Sequence, residues 1–144
     1  MDGWPLVIAD VGSEGDMTQD RSSGAAASEW GRLTAQRLIE ELGGTSLSEN
    51  SNEFLLGGEK LVLKCASAST TSVGVSLKML DRIDGIVAAF EDTDGAFTLS
   101  RMSPHAYRAK MRPTRSRGAS AGKVGIVSKS TFSEHGVALS VIHL

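Results

Sequence analysis

The chain is poor in aromatic side chains, which make up only 5% of its 144 residues. Its core must therefore be assembled mostly from Leu, Val, Ile and Ala. It has a single cysteine, Cys65, which by itself can close no internal disulfide and build no zinc site. The apolar, strand-like surroundings of Cys65 point to a buried thiol rather than a nucleophile. No apolar run approaches the roughly 18–20 residues that cross a bilayer, so no membrane partner is expected. The first twenty residues hold five acids and no base, the reverse of a signal-peptide flank, and a cytoplasmic setting is expected. His105, His135 and His143 are far apart and lack metal-ligand spacing. The Gly-x-Ser-x-Gly elbow of a hydrolase is missing. The stretch from Gly118 to Lys123 falls short of the full phosphate-loop pattern.

One absence is local. Between Gly95 and Ser133 there is no acidic residue, while the same stretch carries eight bases. Residues 1–64 hold eleven acids against five bases, so a net charge of −2 hides a strong asymmetry. A block of like charge repels itself unless an anion lies against it. A solvated basic face is the plain alternative. The nucleic-acid reading assigns phosphate contacts to Arg101, Arg108, Lys110, Arg112, Arg115, Arg117 and Lys123, with DNA as the expected partner.

The length suits one domain with one core. Residues 1–27 read as a weakly ordered arm, with a short edge strand at Pro5–Val11, and residues 28–144 as a single α/β domain with a basic C-terminal third. A helix capped by Ser23 or Ser28 should run to Leu42, burying Ala35, Leu38, Ile39 and Leu42 and stopping at Gly43 and Gly44. Glu53–Leu56 and Lys60–Ala66 flank Gly57 and Gly58, as in a tight hairpin. Leu61, Val62 and Leu63 are apolar in succession, which predicts a central strand covered on both faces.

Ser67–Ser72 reads as a loop. Ser76 should cap a second helix over Leu77–Phe90, with Leu80, Ile83, Val87 and Phe90 as its buried stripe. A turn at Asp92–Gly95 leads into a strand at Ala96–Arg101. Ser103 and Pro104 open a short third helix that ends before Pro113. Thr114–Ala121 is a Ser/Arg/Gly loop, and a hairpin of Val124–Ser128 with Val137–His143 closes the chain. This order predicts an α/β (α+β) fold, a mixed central sheet flanked by helices.

Three polar residues fall where phosphodiester hydrolysis would need them: Glu29 in the first helix, Glu53 at the start of the hairpin, and Lys64 near its end. That reaction uses a metal-bound water, carboxylates to hold the metal and a cation to offset transition-state charge. The run from Asn52 through Lys64 resembles the acidic strand, turn and lysine strand of the PD-(D/E)xK nuclease superfamily, which includes many restriction endonucleases and resolvases. The resemblance covers about residues 25–100 and implies a restriction-endonuclease-like core that uses Mg²⁺. It gives Glu53 the place of the first metal carboxylate, Lys64 that of the motif lysine, and Glu29 that of an extra helical glutamate.

Val62 stands where the family has its second acid. Asp81 or Asp84 would then complete the metal set with Glu53, and Glu59 is a further substitute. The plainer readings are a solvated Glu29, a strand-edge Glu53, and a charged helix face for Asp81 and Asp84 beside Lys78 and Arg82. Lys64 must snorkel or meet an anion, and Glu53 is the first anion expected. The expected function is a metal-dependent endonuclease-like activity on DNA, in a restriction or defence setting. The alternative is a non-catalytic nucleic-acid-binding or protein-interaction module with a degenerate nuclease-like core. A homodimer stays open.

Overall fold

The computed structural model describes residues 17–48, 51–113 and 123–144, with side chains from Glu29 onward. Helix α1 (Met17–Leu42) leads into β1 (Thr45–Ser46), β2 (Glu53–Leu56), β3 (Glu59–Ala66) and β4 (Ser72–Ser76). A single helical turn, α2 (Leu77–Leu80), precedes β5 (Gly85–Glu91) and β6 (Ala96–Met102). Then come α3 (Pro104–Lys110), β7 (Arg112–Pro113), β8 (Val124–Ser128), α4 (Lys129–His135) and β9 (Val137–His143). The fold is mixed α/β: a six-stranded sheet in the order β1-β2-β3-β5-β6-β9 and a three-stranded sheet in the order β4-β8-β7. In the larger sheet only β3 and β5 run parallel.

Strand β3 lies inside the large sheet with both faces covered, as its uninterrupted apolar run requires. Leu61, Val62 and Leu63 are each fully buried. Leu61 and Leu63 meet Ala35, Leu38 and Ile39 of α1, together with Phe54, Val87 and Phe97. Val62 points the other way, since successive side chains of a strand alternate. It joins Val75, Val127, Tyr107 and Phe132 from the small sheet and the short helices. The Tyr107 hydroxyl donates to the Gly125 carbonyl at 2.8 Å, which satisfies the one polar atom of that large buried ring. The β2–β3 turn places Gly57 and Gly58 at φ 60° and 83°, the left-handed pair that matches strand twist in a two-residue hairpin.

Several expectations are corrected. The helix expected over Leu77–Phe90 is only the turn α2, capped by the Ser76 hydroxyl, and β5 takes its second half. The run from Ile86 to Phe90 is apolar at every position and buried throughout. It therefore suits a strand enclosed on both faces better than a helix with one apolar stripe. Asp81 and Asp84 accordingly lie at the C-cap of α2 and in the connection beyond it, on no shared helix face.

The first helix begins at Met17, ahead of both Ser23 and Ser28. Ala25, Ala26 and Ala27 are strong helix formers that offset the roughly 1 kcal/mol a single glycine such as Gly24 costs. Ser72, read as the end of a loop, starts β4. Strands β8 and β9 have the expected bounds but form no hairpin, because α4 separates them and they join different sheets. The short helix at Pro104 is as expected, with Ser103 accepting the Ala106 N–H at 3.1 Å. Pro5–Val11 and Thr114–Ala121 lie outside the described residues. Among the described residues no helix is long and apolar enough to cross a membrane.

Candidate functional site

The hairpin register sets Glu53 opposite Val62. Lys64, two residues beyond Val62, shares its face of the sheet. Glu53, Val62 and Lys64 line one cleft of about 490 Å³, together with Arg32 from α1, Ser51 and Asn52 before β2, and Met79 and Arg82 around the end of α2. Two of the three expected catalytic residues are therefore brought together. The third is not: Glu29 is exposed on α1 and lies outside the cleft lining.

Glu53 is 8% exposed and fully partnered. Its Oε2 accepts from Arg82 Nη2 at 2.8 Å and from the Ser51 hydroxyl at 3.1 Å. Its Oε1 faces Arg82 Nε at 3.4 Å. The Ser51 oxygen in turn accepts the Glu53 backbone N–H at 3.0 Å, which fixes the carboxylate at the strand entry. The Arg82 hydrogen bond holds the Glu53 carboxyl below its ordinary range, against the opposing effect of burial, with Ser51 and Lys60 assisting. The same contact raises Arg82.

Lys64 is partly buried and forms no ion pair among the described residues. Burial pushes its ammonium below the ordinary lysine value, and only the neighbouring Cys65 opposes this. The expected pairing of Lys64 with Glu53 is corrected. The carboxylate is taken by Arg82, whose planar fork meets both oxygens where an ammonium would meet one. Cys65 packs against the α1 side of the sheet, and burial pushes its thiol up to about 12, so it is no nucleophile at neutral pH.

The acids expected to replace the missing one are engaged elsewhere. Asp81 accepts from Arg108. Asp84 Oδ2 accepts the Lys60 N–H at 2.9 Å while its own N–H donates to the Lys60 carbonyl at 2.7 Å, a clamp between the β2–β3 turn and the start of β5. Glu59 pairs with Arg101 at 2.6 Å. Neither Asp81, Asp84 nor Glu59 lines the cleft. Among the described residues no three His, Cys, Asp or Glu side chains gather at metal-binding distance. A resident divalent ion does not fit the described donors: among the described residues the cleft offers one carboxylate, that carboxylate is neutralised by a guanidinium, and Val62 supplies no donor atom.

The basic residues divide into two groups. Arg101 and Arg108 are committed to Glu59 and Asp81. Arg101 also crosses Gly85, where an added Cβ would stand 2.8 Å from its Nε and would push the guanidinium aside. Lys110, Arg112 and Lys123 are exposed and form no ion pair among the described residues. Arg115 and Arg117 lie outside the described residues. The Lys123 carbonyl accepts the Leu77 N–H at 2.9 Å, which ties it to the start of α2. Sequence reasoning does not single out Arg82 or Arg32. Arg82 sits in a charged run that resembles an ordinary helix face, and only the end of α2 after one turn aims it at Glu53.

A scan against protein-family models gives no match, and no curated protein matches the chain.

Proposed function

We propose that this chain is a nucleic-acid-binding module built on a nuclease-like core that does not cleave. One observation carries the reading: among the described residues the cleft holds Arg32, Lys64 and Arg82 against the single carboxylate of Glu53. A surplus of cations around a concave site attracts phosphates, whereas metal-dependent hydrolysis needs a surplus of carboxylates. The register of Glu53 with Val62, and Lys64 on the same face, support the nuclease-like ancestry of the hairpin. Valine at the second acidic position argues against turnover. Lys110, Arg112 and Lys123, exposed at the end of α3, in β7 and just before β8, support a second basic surface. DNA is the partner this reading favours, and a cytoplasmic setting goes with it.

Fluorescence anisotropy with duplex DNA, single-stranded DNA and RNA over a salt series tests the reading. A plasmid-nicking assay with and without Mg²⁺ runs in parallel. The expected result is salt-dependent binding and no nicking. Undetectable binding at low salt overturns the nucleic-acid reading, and Mg²⁺-dependent nicking overturns the non-catalytic one.

A further inference from the structure

We infer that the cleft grips a phosphate oxyanion directly, without a metal, between Lys64 and Arg82, and that Glu53 is the positioning residue that aims the Arg82 guanidinium. The inference rests on the nucleic-acid reading and deepens it, because it names the group recognised and the residues that recognise it.

Arg82 meets Glu53 through Nε and Nη2 only, at 3.4 and 2.8 Å. A guanidinium has five N–H donors, and its Nη1 side has no partner among the described residues while the carboxylate fixes its plane. The Arg82 side chain is half exposed where it borders the cleft. Lys64 contributes three donors on an ammonium that is partly withdrawn from water and has no anion within ion-pair distance among the described residues. Such a group is costly to hold unless an anion arrives. Arg32 adds a third charge and Asn52 borders the same space.

A volume of about 490 Å³ falls within the range of small-molecule sites. Among the described lining residues, three cations and one carboxylate leave a surplus of two positive charges, enough for a phosphodiester or a terminal phosphate monoester. Arg82 thus supplies beside Glu53 the positive charge that a metal would otherwise bring. It is a permanent cation with directional donors, and it needs no second acid at Val62.

The test is fluorescence anisotropy of the full chain with a labelled oligonucleotide carrying either a 5′-phosphate or a 5′-hydroxyl, in EDTA and in Mg²⁺. Wild type is compared with Lys64→Met, Arg82→Ala, Arg82→Lys, Glu53→Gln and an Arg112→Ala/Lys123→Ala double variant, each checked for folding by thermal melting. Wild-type binding should not need Mg²⁺: affinity in EDTA should equal or exceed that in Mg²⁺, which competes for the phosphates as a counterion. Lys64→Met and Arg82→Ala should each weaken binding about tenfold, as expected for loss of a charged hydrogen bond. Arg82→Lys keeps the charge and loses the fork, so it should recover only part of that affinity, and it stands in for Arg82→Ala should the latter fail to fold.

Glu53→Gln is decisive for the positioning role. A carboxylate that merely opposed the phosphate would tighten binding on its removal, whereas one that aims Arg82 weakens it. Loss of the 5′-phosphate preference in Lys64→Met identifies a terminal phosphate as the ligand. Equal weakening of both oligonucleotides identifies the backbone. Cleft variants that bind like wild type, while the Arg112→Ala/Lys123→Ala variant loses affinity, overturn this inference and leave the nucleic-acid reading standing. A wild-type requirement for Mg²⁺ overturns it as well. Failure of the wild type to bind either oligonucleotide overturns both.

Discussion

Arg82 Nη2 lies 2.8 Å from Glu53 Oε2, joining the connection after α2 to the first residue of β2. This contact neutralises the one carboxylate among the described cleft residues and makes it the anchor of a guanidinium. It also ties the β2–β3 hairpin to the segment that crosses back into β5.

That contact predicts a coupled pair. Arg82→Ala should destabilise the fold because it strands a buried carboxylate, and the loss should be much smaller in a Glu53→Gln background. Glu53 has a depressed folded-state pKa. The stability it contributes is therefore complete above the unfolded-state value near 4.5 and is lost as pH falls through the folded value. Urea unfolding between neutral and acidic pH should show this acid limb in wild type and a flatter one in Arg82→Ala.

Lys64 predicts the opposite sign. Without an anion beside it, its ammonium is a burden on the native state, so Lys64→Met should be more stable than wild type at neutral pH by roughly 1 kcal/mol. The folded pKa lies below the unfolded value of 10.5. The penalty is therefore full below the folded pKa and relieved as pH rises toward the unfolded one. The stability difference between Lys64→Met and wild type, from urea melts at stepped alkaline pH, should shrink with rising pH. The raised Tyr107 is common to both proteins and cancels in that difference, whereas Cys65 is electrostatically coupled to Lys64, so both proteins are compared in a Cys65→Ala background.

The hairpin should carry the core. Leu61 and Leu63 are fully buried against α1, and cutting either to Ala should cost about 2–5 kcal/mol in urea unfolding. Losses within about half a kcal/mol of zero, well under that range, would make β3 peripheral.

The basic residues should not contribute equally to DNA binding. Arg112 and Lys123 are exposed and form no ion pair among the described residues, while Arg101 is held by Glu59. Replacing Arg112 and Lys123 by Ala should lower the salt slope of binding by about 0.9 for each phosphate no longer neutralised. Arg101→Ala should change the slope less and the stability more. A slope series across the three single variants checks this ordering.

Strand β3 was legible because its signal is local. An unbroken Leu-Val-Leu run beside a Gly-Gly pair reads as a buried hairpin strand, and its bounds differ by one residue from those expected. The caps at Ser76 and Ser103 were legible for the same reason, since a side chain bonding three residues on is written in the adjacent sequence. Strand β5 was not. Leu80, Ile83, Val87 and Phe90 do recur at helical spacing, but the residues between Val87 and Phe90 are equally apolar. Periodicity alone cannot tell a strand enclosed by two layers from a helix in such a run, and only the shortness of the all-apolar stretch favours the strand.

By itself, then, the sequence determined the mixed α/β character, the hairpin, the charge asymmetry and the presence of Glu53 and Lys64 near one another across two adjacent strands. Each follows from forces acting within a few residues or across a tight turn. Only the tertiary structure decided what those side chains meet. Glu53 and Arg82 are 29 positions apart in sequence. The pairs of Arg101 with Glu59 and of Arg108 with Asp81 also join distant segments, and Lys64 is left without a carboxylate among the described residues. Partner choice among charges depends on where separate elements stop and how they stack, here on α2 ending after one turn. That depends on the packing of both faces of the sheet, which no local stretch of sequence encodes.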